Sequence, residues 1–215
     1  MGLSIYLNGA SGRMGKTLTG LTEQDLSLSL QDNLEEADVA IDFSAPEALA
    51  SLVERCVSFS KPLVVGTTGH PPEANLLLKQ AAQKIPVLFS PNYSLGLAVC
   101  LEAAHTISSL LGEACDISIV EAHHHTKKDL PSGTALALAK ASGHPEAPIH
   151  AIRAGDIIGD HTVHFILKGE RIELRHTVQS RDAFARGALL GAKFLKLKSP
   201  GLYSIKDILY EPHQS

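Results

Sequence analysis

Hydrophobic and polar positions in the first half of the chain form short apolar runs separated by longer segments with helical spacing. The apolar runs predict strands, and the segments between them predict helices. We predict strands at 3–8, 26–30, 38–43, 62–65 and 87–90, and helices at 13–21, 46–59 and 72–83. Strands that alternate with helices are typical of a parallel, doubly wound α/β sheet.

The connection between the second and third predicted strands is unusually short. Residues 31–37 supply about seven positions, whereas a parallel crossover normally needs at least about 10–12 residues. Two explanations stay open here. Either the crossover helix has been lost or reduced to a loop, or the strand assignment is wrong.

The second half of the chain has a different pattern. A long apolar helix is predicted at 95–111, a strand with alternating apolar positions at 116–122, and a helix at 132–141. Segments 162–167 and 171–176 flank the turn at 168–170 and predict an antiparallel hairpin. A helix at 183–196 and a segment at 203–210 end the pattern. Because α+β follows parallel α/β, we predict two domains.

Composition narrows the class of protein. The formal net charge is −4, aromatic residues make up 5% and tryptophan is absent, so a nucleic-acid surface is not expected. No apolar run approaches the ~20 residues of a membrane span, and no secretory signal precedes the first strand. Cys56, Cys100 and Cys115 are far apart and odd in number, which favours reduced thiols. We expect a soluble cytoplasmic protein.

The loop after the first strand is a candidate dinucleotide site. Gly9, Gly12 and Gly15 stand in a GxxGxxG pattern between a strand and a helix, the context in which a helix N-terminus binds a pyrophosphate. A glycine turn without a ligand is the alternative. Arg13 stands where it could reach a phosphate, and Asp32 stands about 20 residues on, where an acid usually binds the ribose.

Two further loops follow strands at the same predicted sheet edge, 66–69 and 90–93. Small residues there would let a nicotinamide ring lie against backbone, although an ordinary turn is equally consistent with the first loop. The cofactor-binding candidates are Gly9, Ala10, Ser11, Gly12, Arg13, Met14, Asp32, Gly66, Thr67, Thr68, Ser90, Pro91, Asn92 and Tyr93.

Residues 121–135 carry three histidines and two lysines just before a predicted helix start. Neighbouring histidines on an extended chain point to opposite faces, and His123 and His125 have no third ligand in register, so we expect no metal. Histidine or lysine would instead donate a proton. Ser132, Gly133 and Thr134 would seat a carboxylate at the helix N-terminus.

Seven segments of the chain resemble the bacterial dihydrodipicolinate reductase family, now called 4-hydroxy-tetrahydrodipicolinate reductases. They are GASGRMG (9–15), DFSAPE (42–47), VGTTG (65–69), NYSLG (92–96), EAHHHTKKDLPSGTA (121–135), RAGDIIGDHTV (153–163) and SRDAFARGA (180–188). The resemblance covers essentially the whole chain, and its 121–135 motif is highly specific.

The resemblance implies a Rossmann-like dinucleotide-binding domain from 1–93 and 181–215, and a substrate-binding and tetramerisation domain from 94–180. It implies NADH or NADPH as cofactor, a cyclic dicarboxylate as substrate and a homotetramer. It assigns His123 as catalytic acid/base and Lys127 as proton donor. Substrate contacts would come from His124, Ser132, Gly133, Thr134 and Arg181. Taken alone, Arg181 reads more readily as a surface arginine.

The chain departs from the family pattern in two places. His125 and Thr126 replace the usual Arg-His, and the chain is some tens of residues shorter, with one loss just after Asp32. The ribose-binding position then falls at Gln31, which leaves the choice between NADH and NADPH open. A ligand-sensing relative without turnover, and a reductase of another carboxylated imine or keto acid, are the alternative functions.

Overall fold

The computed structural model describes residues 2–211, which form two compact units. The first unit combines the chain up to Leu95 with the chain from Asp182 onward, and the second is Gly96–Arg181. The strands are β1 Leu3–Asn8, β2 Leu28–Gln31, β3 Val39–Asp42, β4 Leu63–Val65, β5 Pro86–Phe89, β6 Asp116–His123, β7 Ile149–Arg153, β8 Gly159–Leu167, β9 Glu170–Val178 and β10 Gly201–Tyr203. The helices are α1 Arg13–Gln24, α2 Leu49–Ser58, α3 Glu73–Ala81, α4 Leu95–Leu111, α5 Gly133–Ala141, α6 Asp182–Leu195 and α7 Ile205–Leu209.

A six-stranded parallel sheet with the order β10-β5-β4-β3-β1-β2 organises the first unit. Every residue of the central strands β3 and β4 is buried, as expected for a parallel sheet whose two faces are covered by helices. Apolar side chains of α2, α3 and these strands form one continuous core. The predicted parallel, Rossmann-like α/β sheet is therefore confirmed.

The short link between β2 and β3 crosses over β1, because these two strands flank β1 on opposite sides. Gln31, the last residue of β2, pairs with Tyr6, and Val39, the first residue of β3, pairs with Ile5. The end of β2 and the start of β3 therefore differ in height along β1 by only one residue, and the link between them spans two strand spacings, roughly 10 Å. A single 3-10 turn, Leu34–Glu36, makes this crossing, so the first of the two explanations is correct.

Strand β2 begins two residues later than the predicted segment 26–30. Leu26 is fully exposed, and Asp25 accepts hydrogen bonds from the backbone and hydroxyl of Ser27 in a turn before the strand. The alternation of leucine and serine extends into this turn, which is why the pattern placed the strand too early.

A mixed four-stranded sheet with the order β7-β6-β8-β9 organises the second unit. The predicted hairpin is confirmed as the antiparallel pair β8 and β9, which turns at Gly169 with a φ of +90°. Strand β7 was not predicted: it pairs parallel to β6, and its polar His150 and Arg153 interrupt the apolar pattern. Helices α4 and α5 cover one sheet face with an apolar core.

The segment Leu95–Ala114, which contains α4, is long and apolar enough to cross a membrane by length and composition alone, with a mean hydropathy of 1.4. From the sequence we expected no apolar run near this length, so that expectation was wrong by the criterion of length and composition. Leu97 and Ala104 of α4 are buried in the core of the second unit, but only 22% of the apolar window in this segment is buried.

Cys56, Cys100 and Cys115 are free thiols, as predicted. Cys56 and Cys115 are buried, whereas Cys100 is only half-buried. Burial raises the pKa of the Cys56 thiol to about 12, so this side chain is inert at neutral pH.

Candidate active site

The glycine loop after β1 has a backbone that only glycine fits at two of its positions. Gly9 has a φ of +91°, and a Cβ there would lie 2.6 Å from the Phe43 carbonyl oxygen. A Cβ on Gly15 would lie 2.2 Å from the Gly9 carbonyl oxygen, so α1 packs directly on the loop. Gly12 caps α1, and the first turn of this helix has no acidic residue. These features fit a dinucleotide pyrophosphate at the helix N-terminus.

Asp42, at the end of β3, connects the loops at this sheet edge and was missed by the sequence analysis. Its fully buried carboxylate accepts hydrogen bonds from Asn8 Nδ2 at 2.8 Å, Ser44 Oγ at 2.5 Å and Thr67 Oγ1 at 2.8 Å. These donors follow or end three neighbouring strands. The Thr67 hydroxyl is therefore engaged in holding the 66–69 loop in place.

Aromatic side chains support the loops at 66–69 and 90–93. A Cβ on Gly66 would lie 2.2 Å from the Phe43 ring, which packs edge-on to Tyr93 with 5.9 Å between centroids. The Tyr93 hydroxyl is buried 2.9 Å from the Val65 carbonyl oxygen, and burial raises its pKa well above the ordinary value. The phenol is thus an anchor, which leaves the backbone of this loop to contact a cofactor.

Asp32, the candidate ribose ligand, is exposed immediately after the edge strand β2. Across the part of the chain that the structure describes, its carboxylate has no hydrogen bond or ion pair. Its assignment, and that of Gln31 beside it, stays a prediction.

In the second unit, the buried face of β6 continues from Ile117 and Ile119 to Glu121 and His123. Glu121 is fully buried, and its carboxylate accepts hydrogen bonds from four donors. Arg153 donates from Nη1 at 3.0 Å and from Nη2 at 2.8 Å, the Ser132 amide donates at 3.2 Å, and His123 Nδ1 forms a short hydrogen bond. Glu121 therefore connects β7, the start of α5 and His123.

The protonation states of Glu121 and His123 follow from their burial and from the hydrogen-bond donors around Glu121. Burial alone raises the pKa of Glu121, but the hydrogen bonds from Arg153, His123 and Ser132 outweigh it and hold the pKa below its ordinary value. Burial lowers the pKa of His123, and the nearby Glu121 only partly opposes this effect. At neutral pH the pair is a carboxylate and a neutral imidazole.

Gly159 lies beside the other ring nitrogen of His123. A Cβ at this position would lie 3.2 Å from His123 Nε2 and 3.5 Å from His161 Cε1. His161 is buried, packs edge-on to His123 at 5.0 Å and lies 3.3 Å from the Ser132 hydroxyl through Nε2. Burial, followed by the nearby His123, lowers the pKa of His161 to about 4.

Lys127 and the N-terminus of α5 converge on one carboxylate, that of Asp129. Lys127 Nζ lies 2.8 Å from Asp129 Oδ1, and the Gly133 backbone amide makes a smaller contribution that also lowers the pKa of this carboxylate. The hydrogen bond from Lys127 is the main reason that the pKa of Asp129 is lowered. Ser132 caps α5 by accepting from the Ala135 amide at 3.2 Å. This geometry suits a carboxylate ligand.

The remaining predicted site residues are less closely linked to this cluster. His124 Nδ1 bonds the Thr126 hydroxyl at 2.7 Å, and Thr134 lies half-buried in the first turn of α5. Arg181, the last residue of the second unit, has no hydrogen bond or ion pair to the histidine segment among residues 2–211. His125 bonds the Gly155 carbonyl oxygen at 2.9 Å.

Glu121, His123 and His161 place three potential metal-ligand atoms within 4.8 Å of one another. Arg153 donates to both oxygens of this carboxylate, so a guanidinium already neutralises it. The donor set does not fit a metal as well as it fits an ion pair. Sequence spacing could not show the cluster, since His161 reaches it from β8.

Glu121, Arg153, Gly159 and His161 are the site residues that sequence reasoning missed in the second unit. All four lie inside the family motifs at 121–135 and 153–163, and the i, i+2 spacing of Glu121 and His123 already places these two on one strand face. That these residues lie together in space follows only from the strand register, in which Arg153 pairs with His123 and His161 pairs with Glu121.

The parallel sheet with its glycine loop, together with a histidine, a lysine and a carboxylate seat, defines a dinucleotide-dependent reductase that acts on a carboxylated substrate. Family models described as dihydrodipicolinate reductase, N-terminus, and dihydrodipicolinate reductase, C-terminus, match residues 22–93 and 96–209. The chain belongs to the dihydrodipicolinate reductase family. It is an oxidoreductase that uses NADH or NADPH.

Curated relatives and a solved structure agree with this family. The chain is 43% identical to 4-hydroxy-tetrahydrodipicolinate reductase of Xanthomonas campestris, covering 96% of this chain and 98% of the relative. It is 37% identical to that of Syntrophotalea carbinolica, with the same coverage, over an alignment of 263 positions that exceeds the 215 residues of this chain. The fold matches dipicolinate-bound dihydrodipicolinate reductase from Paenisporosarcina with a TM-score of 0.80 and 20% identity, covering 97% of this chain and 100% of that one.

Proposed function

We propose that the protein reduces 4-hydroxy-tetrahydrodipicolinate to tetrahydrodipicolinate in diaminopimelate and lysine biosynthesis. One hydride from NADH or NADPH and one proton are consumed, and one water and the oxidised dinucleotide are released. The observation that carries this proposal is the carboxylate seat formed by Lys127 and Gly133, within the same motif as the His123–Glu121 pair. The named relatives support the choice of substrate.

The substrate's first carboxylate would take the place that Asp129 occupies, at the Lys127 ammonium and the α5 amides. Ser132, Gly133 and Thr134 supply the donors at the first turn of α5, where the helix dipole favours an anion. His124 and Arg181 are the proposed partners of the second carboxylate. Arg181 suits this role because its guanidinium can donate two parallel hydrogen bonds.

The dinucleotide, when bound, supplies the hydride that adds to C4 of the substrate ring. Its pyrophosphate would be held by the glycine loop, which consists of Gly9, Ala10, Ser11, Gly12, Arg13 and Met14. Its nicotinamide would be lined by two loops, one with Gly66, Thr67 and Thr68 and the other with Ser90, Pro91, Asn92 and Tyr93. Asp32 is proposed for the adenosine ribose. The choice between NADH and NADPH is part of the experiment below.

The proton roles follow from the protonation of the site. His123 is a neutral imidazole whose Nδ1 is directed at Glu121, so its Nε2 accepts rather than donates at neutral pH. Lys127, an ammonium paired with Asp129, is the proton donor. During loss of water, His123 Nε2 would accept the proton that leaves the ring carbon beside C4 and would return it to the departing C4 hydroxyl, so that water leaves and the imidazole is neutral again.

We also propose a homotetramer in the cytoplasm, with no nucleic-acid or membrane partner. The domains would be 1–93 with 181–215, and 94–180, which the division after Leu95 and after Arg181 supports.

The sheet of the second unit has one face under α4 and α5, while Ile152 and Ile166 on its other face stay about half exposed. Light scattering would test this by giving a mass near four chains of 22.9 kDa.

A coupled assay tests the reaction. The upstream synthase would generate the substrate from pyruvate and aspartate semialdehyde, and oxidation of NADH and NADPH would be followed separately by near-ultraviolet absorbance. Substrate-dependent oxidation is the expected result, and the ratio of the two rates reports what the shortened region after Asp32 does. Folded protein that binds a dinucleotide but oxidises neither NADH nor NADPH would favour a ligand-sensing role. The feature that supports this second candidate function is the shortened region after Asp32, where the adenosine ribose would bind.

A further inference from the structure

We propose that Glu121, held by Arg153, is a positioning residue that fixes the His123 ring in one tautomer and leaves Nε2 free for the substrate. Gly159 keeps the space beside that nitrogen open. The kinetic part of this inference rests on the proposed function, whereas its tautomeric part is tested without any substrate.

The tautomer follows from the chemistry of the partners. A carboxylate can only accept hydrogen bonds, so the short contact between Glu121 Oε2 and His123 Nδ1 requires the proton on Nδ1. A neutral imidazole then has an unprotonated Nε2. Within residues 2–211, His123 Nε2 has no hydrogen-bond partner.

Arg153 fixes the carboxylate that fixes the ring. Its two Nη atoms donate to the two oxygens of Glu121 in a fork, the geometry in which an arginine orients a carboxylate best. Nη2 also donates to the Asp129 carbonyl oxygen at 2.7 Å. The same guanidinium therefore sets the orientation of His123 and secures the turn that carries Lys127.

Burial is the main reason that His123 is neutral although it contacts a carboxylate, since burial disfavours the imidazolium. The positive charges of Lys127 and Arg153 lower the pKa of His123 further. The charged and titratable groups that face His123 are Glu121 on β6, Lys127 in the following turn, Arg153 on β7 and His161 on β8. Asp160 and His176 in turn influence the pKa of His161.

Gly159 adds a steric requirement at the other nitrogen. At 3.2 Å from Nε2, a methyl group would be closer than ordinary van der Waals contact and would cover the atom that must meet the substrate. Gly159→Ala leaves the Glu121, Arg153 and Ser132 contacts in place. It therefore separates access to Nε2 from control of the tautomer.

The first experiment records nitrogen-15 chemical shifts of the His123 imidazole in ligand-free protein. The expected wild-type spectrum shows the proton on Nδ1, and the Glu121→Gln spectrum shows it on Nε2, because a glutamine amide can donate to Nδ1. Wild-type protein with the proton on Nε2 would overturn the proposal. This readout needs no turnover, so failure of the proposed reaction would not be mistaken for failure of the positioning role.

The second experiment measures steady-state rates across pH. Glu121→Gln is expected to lower kcat by ~10²-fold or more, the usual range for general acid–base groups, with a small change in KM. The acid limb of kcat/KM should move to lower pH, since removal of the carboxylate removes the influence that raises the pKa of His123. If Glu121 only supported the fold, its replacement would lower the rate by the same factor at every pH and would leave the pH of the acid limb unchanged.

Three variants complete the test. Glu113→Gln changes the same charge at an exposed position of the second unit and should keep the wild-type rate and profile. Glu121→Asp keeps a carboxylate and should restore the Nδ1 tautomer and part of the rate. Gly159→Ala should lower kcat about tenfold or more with the wild-type tautomer. Wild-type rates in both Glu121→Gln and Gly159→Ala would refute the proposal.

Discussion

Two histidines in one short segment have very different surroundings, and this difference decides which of them takes part in the chemistry. His123 is buried against Glu121, whereas His125 is exposed and bonds the Gly155 carbonyl oxygen. A sequence of three consecutive histidines cannot distinguish them by residue type. The end of β6 does distinguish them, because His123 is the last residue of the strand and lies on its buried face, whereas His125 lies beyond the strand in an exposed turn.

Replacement of His123 or Lys127 by alanine should lower kcat by ~10²-fold or more, because each removes a group that moves a proton. The measurement is the coupled assay under substrate saturation. His125→Ala is the matched control, since it removes the same side chain two residues away and should retain near wild-type rates. Full activity in both His123→Ala and Lys127→Ala would remove this segment from the mechanism.

Asp129 occupies the place that we assign to a substrate carboxylate, so Asp129→Asn should strengthen the binding of a dicarboxylate. The contact with Lys127 is exposed, and such ion pairs contribute ~0.2–1 kcal/mol, which limits the gain in affinity to about fivefold. Titration calorimetry with dipicolinate as the probe measures it. Weaker binding in Asp129→Asn would show that this carboxylate orients Lys127 instead of competing with the ligand.

At the scale of elements, the sequence predicted the type and order of most strands and helices, and the structure shows where local pattern stops being informative. Strand β7 was missed because it is covered on one face only and carries polar residues on both. The start of β2 was misplaced because Leu26 continues the alternation of leucine and serine although, within residues 2–211, it does not pair with a neighbouring strand. The cluster around Glu121 needed the register of three strands, which the sequence does not contain.

Helix α1 offers a test of the dinucleotide loop with a control inside the same helix. Gly15→Ala would place a methyl group 2.2 Å from the Gly9 carbonyl oxygen, so the loop must shift at a cost of about 1–3 kcal/mol. Lower affinity for NADH and NADPH, measured by fluorescence titration, and a lower Tm are expected.

Gly20→Ala is the control for that helix, because a Cβ at this position would have no neighbouring atom within 4 Å among the described residues. It should leave dinucleotide affinity unchanged and stabilise the helix by roughly 0.5–1 kcal/mol, since alanine has the higher helix propensity. If Gly15→Ala kept wild-type affinity for both dinucleotides, the loop would not be the pyrophosphate site.

At the scale of the whole molecule, the row of histidines on the second unit's sheet links stability to pH. Burial lowers the pKa of His161 to about 4, and it lowers the pKa values of His123 and His176 in the same direction. In the unfolded chain a histidine titrates near about 6.5. Between these pH values the unfolded state binds more protons than the folded state, so the free energy of unfolding falls as pH falls.

We therefore expect the free energy of unfolding to be constant with respect to His161 above about pH 6.5 and to decline by about 1.4 kcal/mol per pH unit towards pH 4, where the folded protein also takes up the proton. Urea denaturation followed by circular dichroism across this range measures the slope. His161→Gln, which cannot titrate, should flatten it, whereas exposed His144→Gln should leave it unchanged. An equally steep slope in His161→Gln would show instead that the linkage resides in His123, His176 or the carboxylates.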